Sequence, residues 1–170
     1  QISEKSALLN FETTVKNYGA TTKNISVITQ LVDAGGKVIK EVKRNTPIAA
    51  GKSLVLKQQT DQIGNPKLWS IENPYLYTLK TTVQKGTTIT DEYYSTFGIR
   101  SIRFDNNKGF FLNGKHIKIK GTNNHQDHAG VGAAMPDALQ YYRIRRLKQM
   151  GSNAYRTSHN PPTPELLDAC

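Results

Sequence analysis

The chain changes periodicity once, and that change limits its fold more than any other feature. Up to residue 103, apolar side chains recur at every second position in short runs, and no helical period is found before residue 135. Leu9, Phe11, Thr13 and Val15 alternate within Leu8–Tyr18, and Ile25, Val27, Thr29 and Leu31 share one face of Ile25–Val32. Val38–Lys43, Ser53–Gln59 (Leu54 and Leu56 inward), Tyr75–Val83 and Thr88–Phe97 repeat the pattern. Asp33–Gly36 and Lys85–Gly86 punctuate it, because glycine supplies the backbone conformations that tight turns need. Roughly seven short strands at this spacing predict a mainly β fold, a two-sheet immunoglobulin-like β-sandwich over residues 1–103.

The second part, residues 104–170, reads differently. Asn113-Gly114 between Phe110–Leu112 and His116–Ile119 predicts a hairpin. The first strand of the new series is expected to end near Lys120, followed by a polar loop through His128 and a flexible stretch at Gly130–Ala134. A helix is expected from Pro136-Asp137, with Asp137 as its cap. Leu139, Leu147 and Met150 would form its apolar face, Arg143 and Arg146 its margins, and Gly151 its stop. A short strand at Asn153–Arg156 precedes Pro161-Pro162, and Thr163 with Glu165 opens a second helix. Strand, loop, helix, strand, loop, helix is the opening of a (β/α)8 barrel. Because Cys170 falls inside a helical run and the first residue is Gln1, both ends read as cut, and the barrel as a truncated start. Two barrel strands carrying Ile117, Ile119, Ala154 and Tyr155 would then leave apolar faces that pack on the sandwich or on a second copy, so a homo-oligomer through this segment is an expectation.

Charge excludes little. The net charge is +10, but the basic residues are spread: residues 1–103 hold 14 Lys and Arg against 8 Asp and Glu, and residues 104–170 hold 9 against 5. Without an aromatic-interleaved basic stripe, a nucleic-acid partner is not expected. No run approaches the ~20 apolar residues that cross a membrane. No signal-peptide or lipidation pattern is read at Gln1. A single cysteine, Cys170, forms no intrachain disulfide and no cysteine zinc cage; it reads as a buried or terminal thiol.

Two polar clusters follow the two expected barrel strands: Asn123, Asn124, His125, Asp127 and His128, then Arg156, Ser158, His159 and Asn160. Residues past the C-terminal ends of barrel strands line active sites. Imidazoles, amides and a guanidinium suit a sugar, whose hydroxyls donate and accept. Each has a plainer alternative. The histidines could fix one another's tautomers, or His125, His128 and His159 could bind metal, although the spacing is not H-E-x-x-H. Arg156 could pair with a barrel carboxylate. Arg143–Lys148 reads as a solvated outer face. Trp69 could be a sugar platform or, preferably, a packing anchor beside Pro74 and Tyr77. Asp137, Glu165 and Asp168 read as helix-terminal or solvent-facing acids.

Several segments in order carry a resemblance. Leu68-Trp-Ser-Ile-Glu-Asn-Pro-Tyr-Leu-Tyr77, Phe97-Gly-Ile-Arg100, Phe111-Leu-Asn-Gly-Lys115, Ile119-Lys-Gly-Thr-Asn-Asn-His125 and Asn153-Ala-Tyr-Arg-Thr-Ser-His-Asn-Pro161 together resemble glycoside hydrolase family 2, over nearly the whole chain. The resemblance implies a retaining exo-glycosidase acting on terminal β-galactosides in carbohydrate metabolism, with two glutamates about 5–5.5 Å apart doing the chemistry. Both would lie on later strands, so no catalytic residue is expected in this chain. It further implies sugar contacts from His125, Arg156 and His159, and with them Asn124 and Asn160. Asn124 replaces an arginine, and Gln126-Asp127 a Glu-His pair, found in a bacterial β-galactosidase of the family; both changes bear on sugar preference. No cofactor or metal site is expected within the chain, although some family members use a divalent cation such as Mg. Alternatives are a β-glucuronidase or β-mannosidase of the same family, or a non-catalytic carbohydrate-binding sandwich. The compartment is left open between bacterial periplasm and cytoplasm.

Overall fold

Alternation over Lys23–Val32 places Val27, Thr29 and Leu31 in the interior, and the sandwich is built around that strand. A computed structural model describes residues 2–170; the reading of Gln1 as a cut end falls outside them. The chain divides into two compact units, one running to Arg103 and including Phe111–Lys115, the other comprising Phe104–Phe110 and His116–Cys170.

In the first unit the strands are β1 (Ser6–Ala7), β2 (Asn10–Lys16), β3 (Lys23–Val32), β4 (Val38–Ile48), β5 (Ser53–Gln59), β6 (Ile63–Gly64), β7 (Tyr77–Lys85) and β8 (Thr88–Phe97). One antiparallel sheet has the order β4-β3-β7-β8; β2 pairs with β5, and β1 with β6. Val27 of β3, Leu56 of β5 and Val83 of β7 meet in the interior, flanked by Val15 of β2. A second cluster joins Ala7, Leu31, Ile63, Tyr77 and Ile99. The period-two pattern holds in space for β2, β3 and β5, which send alternate side chains inward, whereas β8, expected to repeat it, is exposed from Thr88 to Thr96. β4 runs to Ile48, five residues past its expected end at Lys43, and carries Pro47. Being an edge strand, it tolerates a residue without an N–H. Thr29 Oγ1 and both amide atoms of Gln58 are buried without a hydrogen-bond partner. The sandwich opens between β2 and β8 in a cleft of about 650 Å³ that Val15, Thr81 and Tyr93 help to line.

Trp69 serves this unit as an anchor. Its N–H donates to the carbonyl of Ile99 (2.8 Å), its carbonyl accepts from the Asn113 side-chain amide (2.9 Å), and the Arg100 guanidinium lies 4.5 Å from its ring centroid. Tyr77 is buried, and its hydroxyl accepts from the Lys67 N–H at 2.8 Å. Burial pushes its phenol above the ordinary tyrosine range.

The small strands β9 (Ile102–Asp105), β10 (Gly109–Leu112) and β11 (Lys115–Ile117) form a sheet ordered β11-β10-β9. The two residues between β10 and β11, Asn113 and Gly114, both have positive φ (50° and 78°), as the tight turn requires.

The second unit holds β12 (Gly121–Asn124), α1 (Asp137–Gln149), β13 (Ala154–Thr157) and α2 (Pro164–Ala169). β12 and β13 pair in parallel, joined through α1: a βαβ unit. Three expectations are corrected here. The strand expected to end near Lys120 is instead two pieces, β11 in the hairpin sheet and β12 beginning at Gly121, because polar Thr122, Asn123 and Asn124 form ladder bonds despite their loop-like composition. Asp137 does not cap α1; Pro136 holds the cap position without a side-chain bond, and Asp137 faces the free N–H groups from the first turn. Met150 is 69% exposed, and the covered side of α1 is Leu139, Gln140, Arg143, Ile144 and Leu147.

Candidate functional site

The site grows from the way β12 and β13 are locked in register. At their N-terminal ends Asn153 uses its whole side chain: Oδ1 accepts from the Lys120 N–H (2.8 Å) and Nδ2 donates to the Lys118 carbonyl (3.0 Å). Gly121 lies against Ala154 so closely that a Cβ there would sit 2.6 Å from the Ala154 carbonyl oxygen. At the other ends the Ser158 N–H donates to the Asn124 carbonyl (3.0 Å), and the Gln126 side chain donates across to the Pro161 carbonyl (2.6 Å). Both strands thus finish together, and the loops that follow them are tied to each other.

That register places Asn123 beside Arg156 and Asn124 beside Thr157. The Arg156 guanidinium reaches Asn123 Oδ1 (3.5 Å), Ser158 Oγ (3.4 Å) and His159 Nδ1 (3.5 Å). The His125 and His159 rings meet edge to face with centroids 5.5 Å apart. Arg156, His125 and His159 are exposed, whereas Ser158 is buried beneath them. The result is an open polar rim with one fixed cation, two imidazoles and an amide, all at the C-terminal ends of adjacent parallel strands. These groups offer several donors and acceptors to a polyhydroxylated ligand. They offer no carboxylate: Glu165 lies in the first turn of α2.

Of the residues singled out from sequence, His125, Arg156 and His159 come together. Asn124 does not join them; its amide donates to the Thr122 hydroxyl (2.8 Å) and carbonyl (3.0 Å) within its own strand. Asn160 is exposed in the loop beyond His159. His128 turns its Nδ1 to the carbonyl of Ala129 (3.0 Å). Among the described residues no three His, Cys, Asp or Glu side chains converge as metal ligands.

Sequence reasoning named Gln126 and Ser158 but not their part in tying the two loops together, and misread Arg143. The Arg143 guanidinium is no solvated charge: it donates to the carbonyls of His125 (3.2 Å from each Nη) and Asp127 (3.0 Å), and it touches Met135 Sδ (3.2 Å). The sequence did hold a signal. Arg143 stands four residues from both Leu139 and Leu147, at the centre of the covered stripe rather than its margin. Tyr155 of β13 is pushed above the ordinary phenol range by burial, an effect the nearby Arg143 charge opposes.

Comparison with known proteins agrees with this geometry. The pattern of glycosyl hydrolases family 2 matches residues 1–100, and that of the family's TIM barrel domain matches residues 103–170. A β-galactosidase of Bacteroides ovatus is 42% identical across 99% of the chain, and a β-glucuronidase of Formosa agariphila 35% identical across 98%. The chain covers 20% and 17% of those relatives, about a fifth of their length. The crystal structure of a Bacteroides uniformis β-glucuronidase superposes with a TM-score of 0.94 at 31% identity, over all of this chain and 20% of that one. Sandwich, parallel strand pair and matched sequence agree, and the chain belongs to glycosyl hydrolases family 2.

Proposed function

We propose that the protein carrying this chain is a retaining exo-glycosidase acting on terminal β-galactosides, and that His125, Arg156 and His159, with Asn124 and Asn160 at their flanks, form part of its sugar-binding rim. One observation carries the reading: an imidazole pair and a guanidinium converge where two adjacent parallel strands end. Barrel enzymes bind substrate at that end. Planar donors suit vicinal hydroxyls, and neutral imidazoles can accept as well as donate. The B. ovatus relative, the most identical of those compared above, is named a β-galactosidase, which supports the choice of sugar.

The rim binds and orients; it supplies no acid/base and no nucleophile. A retaining mechanism needs two carboxylates about 5–5.5 Å apart, and the chain presents no such pair at this rim. The purified 170-residue chain should therefore show no hydrolysis of an aryl β-galactoside above buffer, while the full-length protein should cleave it. Turnover by the chain alone would overturn the placement of the catalytic carboxylates elsewhere.

A β-glucuronide is the second reading. Among the described residues the Arg156 guanidinium bonds to Asn123, Ser158 and His159, at 3.4–3.5 Å, and to no carboxylate. An anionic sugar would give that charge a charge-assisted bond. The ratio of kcat/KM for aryl β-glucuronide and aryl β-galactoside in the full-length protein decides between the two.

A further inference from the structure

His125 is carried by a loop whose backbone has left the β-ladder, and carbonyls in such a loop need partners from elsewhere. The partner is unusual. Arg143 reaches from the covered stripe of α1, and both of its terminal nitrogens converge on the His125 carbonyl at 3.2 Å. The same guanidinium holds the Asp127 carbonyl at 3.0 Å, two residues on, and rests on Met135 Sδ at 3.2 Å. It is half-buried, unlike Arg145 and Arg146, which are exposed on the same helix. Those two bond within α1, to the Tyr141 carbonyl and to Gln149 Oε1. One charged fork thus fixes the two carbonyls that bracket Gln126, and Gln126 in turn ties its loop to Pro161 beyond His159.

We infer that Arg143 is a positioning residue: by holding the carbonyls of His125 and Asp127 it sets the loop conformation that aims the His125 imidazole edge to face at His159. The inference rests on the proposed reading of these imidazoles as sugar-facing, but only for its functional meaning. The geometry needs a planar group with several N–H donors in a fixed fork. A lysine ammonium is a compact point charge on a flexible stem and cannot span both carbonyls in the same way. The Arg143 contacts are therefore a matter of shape as well as charge.

Histidine-selective labelling of the 170-residue chain and NMR of the four imidazoles provide the test. Ring centroids 5.5 Å apart bring protons of His125 and His159 within reach of a nuclear Overhauser effect. That cross-peak should be present in the native chain, lost in Arg143→Met and intact in Arg145→Met, which removes the same charge from the same helix. Arg143→Lys keeps the charge and a good helix former, so it guards against simple misfolding of α1; it too should lose the cross-peak. Survival of the cross-peak in Arg143→Met or Arg143→Lys, or its equal loss in Arg145→Met, overturns the inference. Adding galactose to the native protein tests the other layer. Unshifted His125 and His159 signals would count against the sugar reading and leave the role of Arg143 standing.

Discussion

The two units solve the problem of burial in opposite ways. The sandwich unit holds every fully buried apolar side chain among the described residues except Leu166, from Val27 and Leu31 at the centre to Ile99 and Leu112 at its margin. The βαβ unit buries Leu166 together with polar Gln140 and Ser158, and leaves Ile119, Tyr141, Tyr142 and Leu167 exposed. It is held largely by polar staples: Asn153 at one end of the strands, and Gln126, Ser158 and Arg143 at the other. Parallel strands are usually covered on both faces. The comparison teaches that stability and chemistry are separated here: apolar burial sits in the sandwich, while the polar groups able to meet a ligand sit where burial is thin.

Core truncation should break or sharpen this contrast most strongly. Leu31→Ala removes a side chain that is 1% exposed and packed among Ala7, Ile63, Tyr77 and Ile99. It should cost about 2–5 kcal/mol and lower the urea midpoint of the sandwich. Leu166→Ala, at an equally covered position, should leave that midpoint where it was and instead speed amide exchange in α1 and α2. Equal shifts of one shared transition would show that the units unfold as a single body.

Next in size is the close approach of β12 and β13. Gly121→Ala places a methyl against the Ala154 carbonyl at a separation no real contact allows. Overpacking of this kind costs about 1–3 kcal/mol, and strand pairing should loosen as seen by faster exchange of the Ser158 amide. Exchange unchanged from the native chain would mean that the polar staples hold the strands without the tight fit.

The smallest effect concerns pH and is read in the sandwich at Tyr77. Burial raises the Tyr77 phenol above its unfolded value, so the folded state favours the neutral hydroxyl. Its contribution is present below the ordinary tyrosine pKa of about 10 and is lost as pH climbs toward the raised folded value. Tyr77→Phe should flatten that alkaline fall in stability relative to the native chain; an identical fall would assign it to other groups.

Much of the sandwich was legible because half-buried strands write their geometry at period two. Leu54 and Leu56 pointed inward as read, and Gln58, polar in sequence, follows the same alternation into the core. The βαβ order was legible as well, since its helix carries a 3.6-residue stripe. Its first strand was misplaced because Gly121–Asn124 is polar, and its pairing is set by Asn153 and by the space Gly121 leaves rather than by apolar side chains. At the rim, His125, Arg156 and His159 could be named because they fall at or just past the ends of β12 and β13, and because the family resemblance covers them. The place of Arg143 in the covered stripe was legible from its spacing to Leu139 and Leu147, but its role was not, because a cation there has meaning only when the carbonyls it serves are in view.

The central claim is that the rim formed by His125, Arg156 and His159 binds the sugar of a family 2 glycosidase. It is tested most directly by kcat/KM for an aryl β-galactoside in the full-length protein and in Arg156→Ala and His159→Ala variants. Loss of a charge-assisted hydrogen bond is worth about 1.5–3 kcal/mol, so kcat/KM should fall roughly ten- to a hundredfold for Arg156→Ala, and by a smaller factor for His159→Ala, with the far-UV circular dichroism unchanged. Folded variants that retain native kcat/KM on both galactoside and glucuronide would contradict the claim.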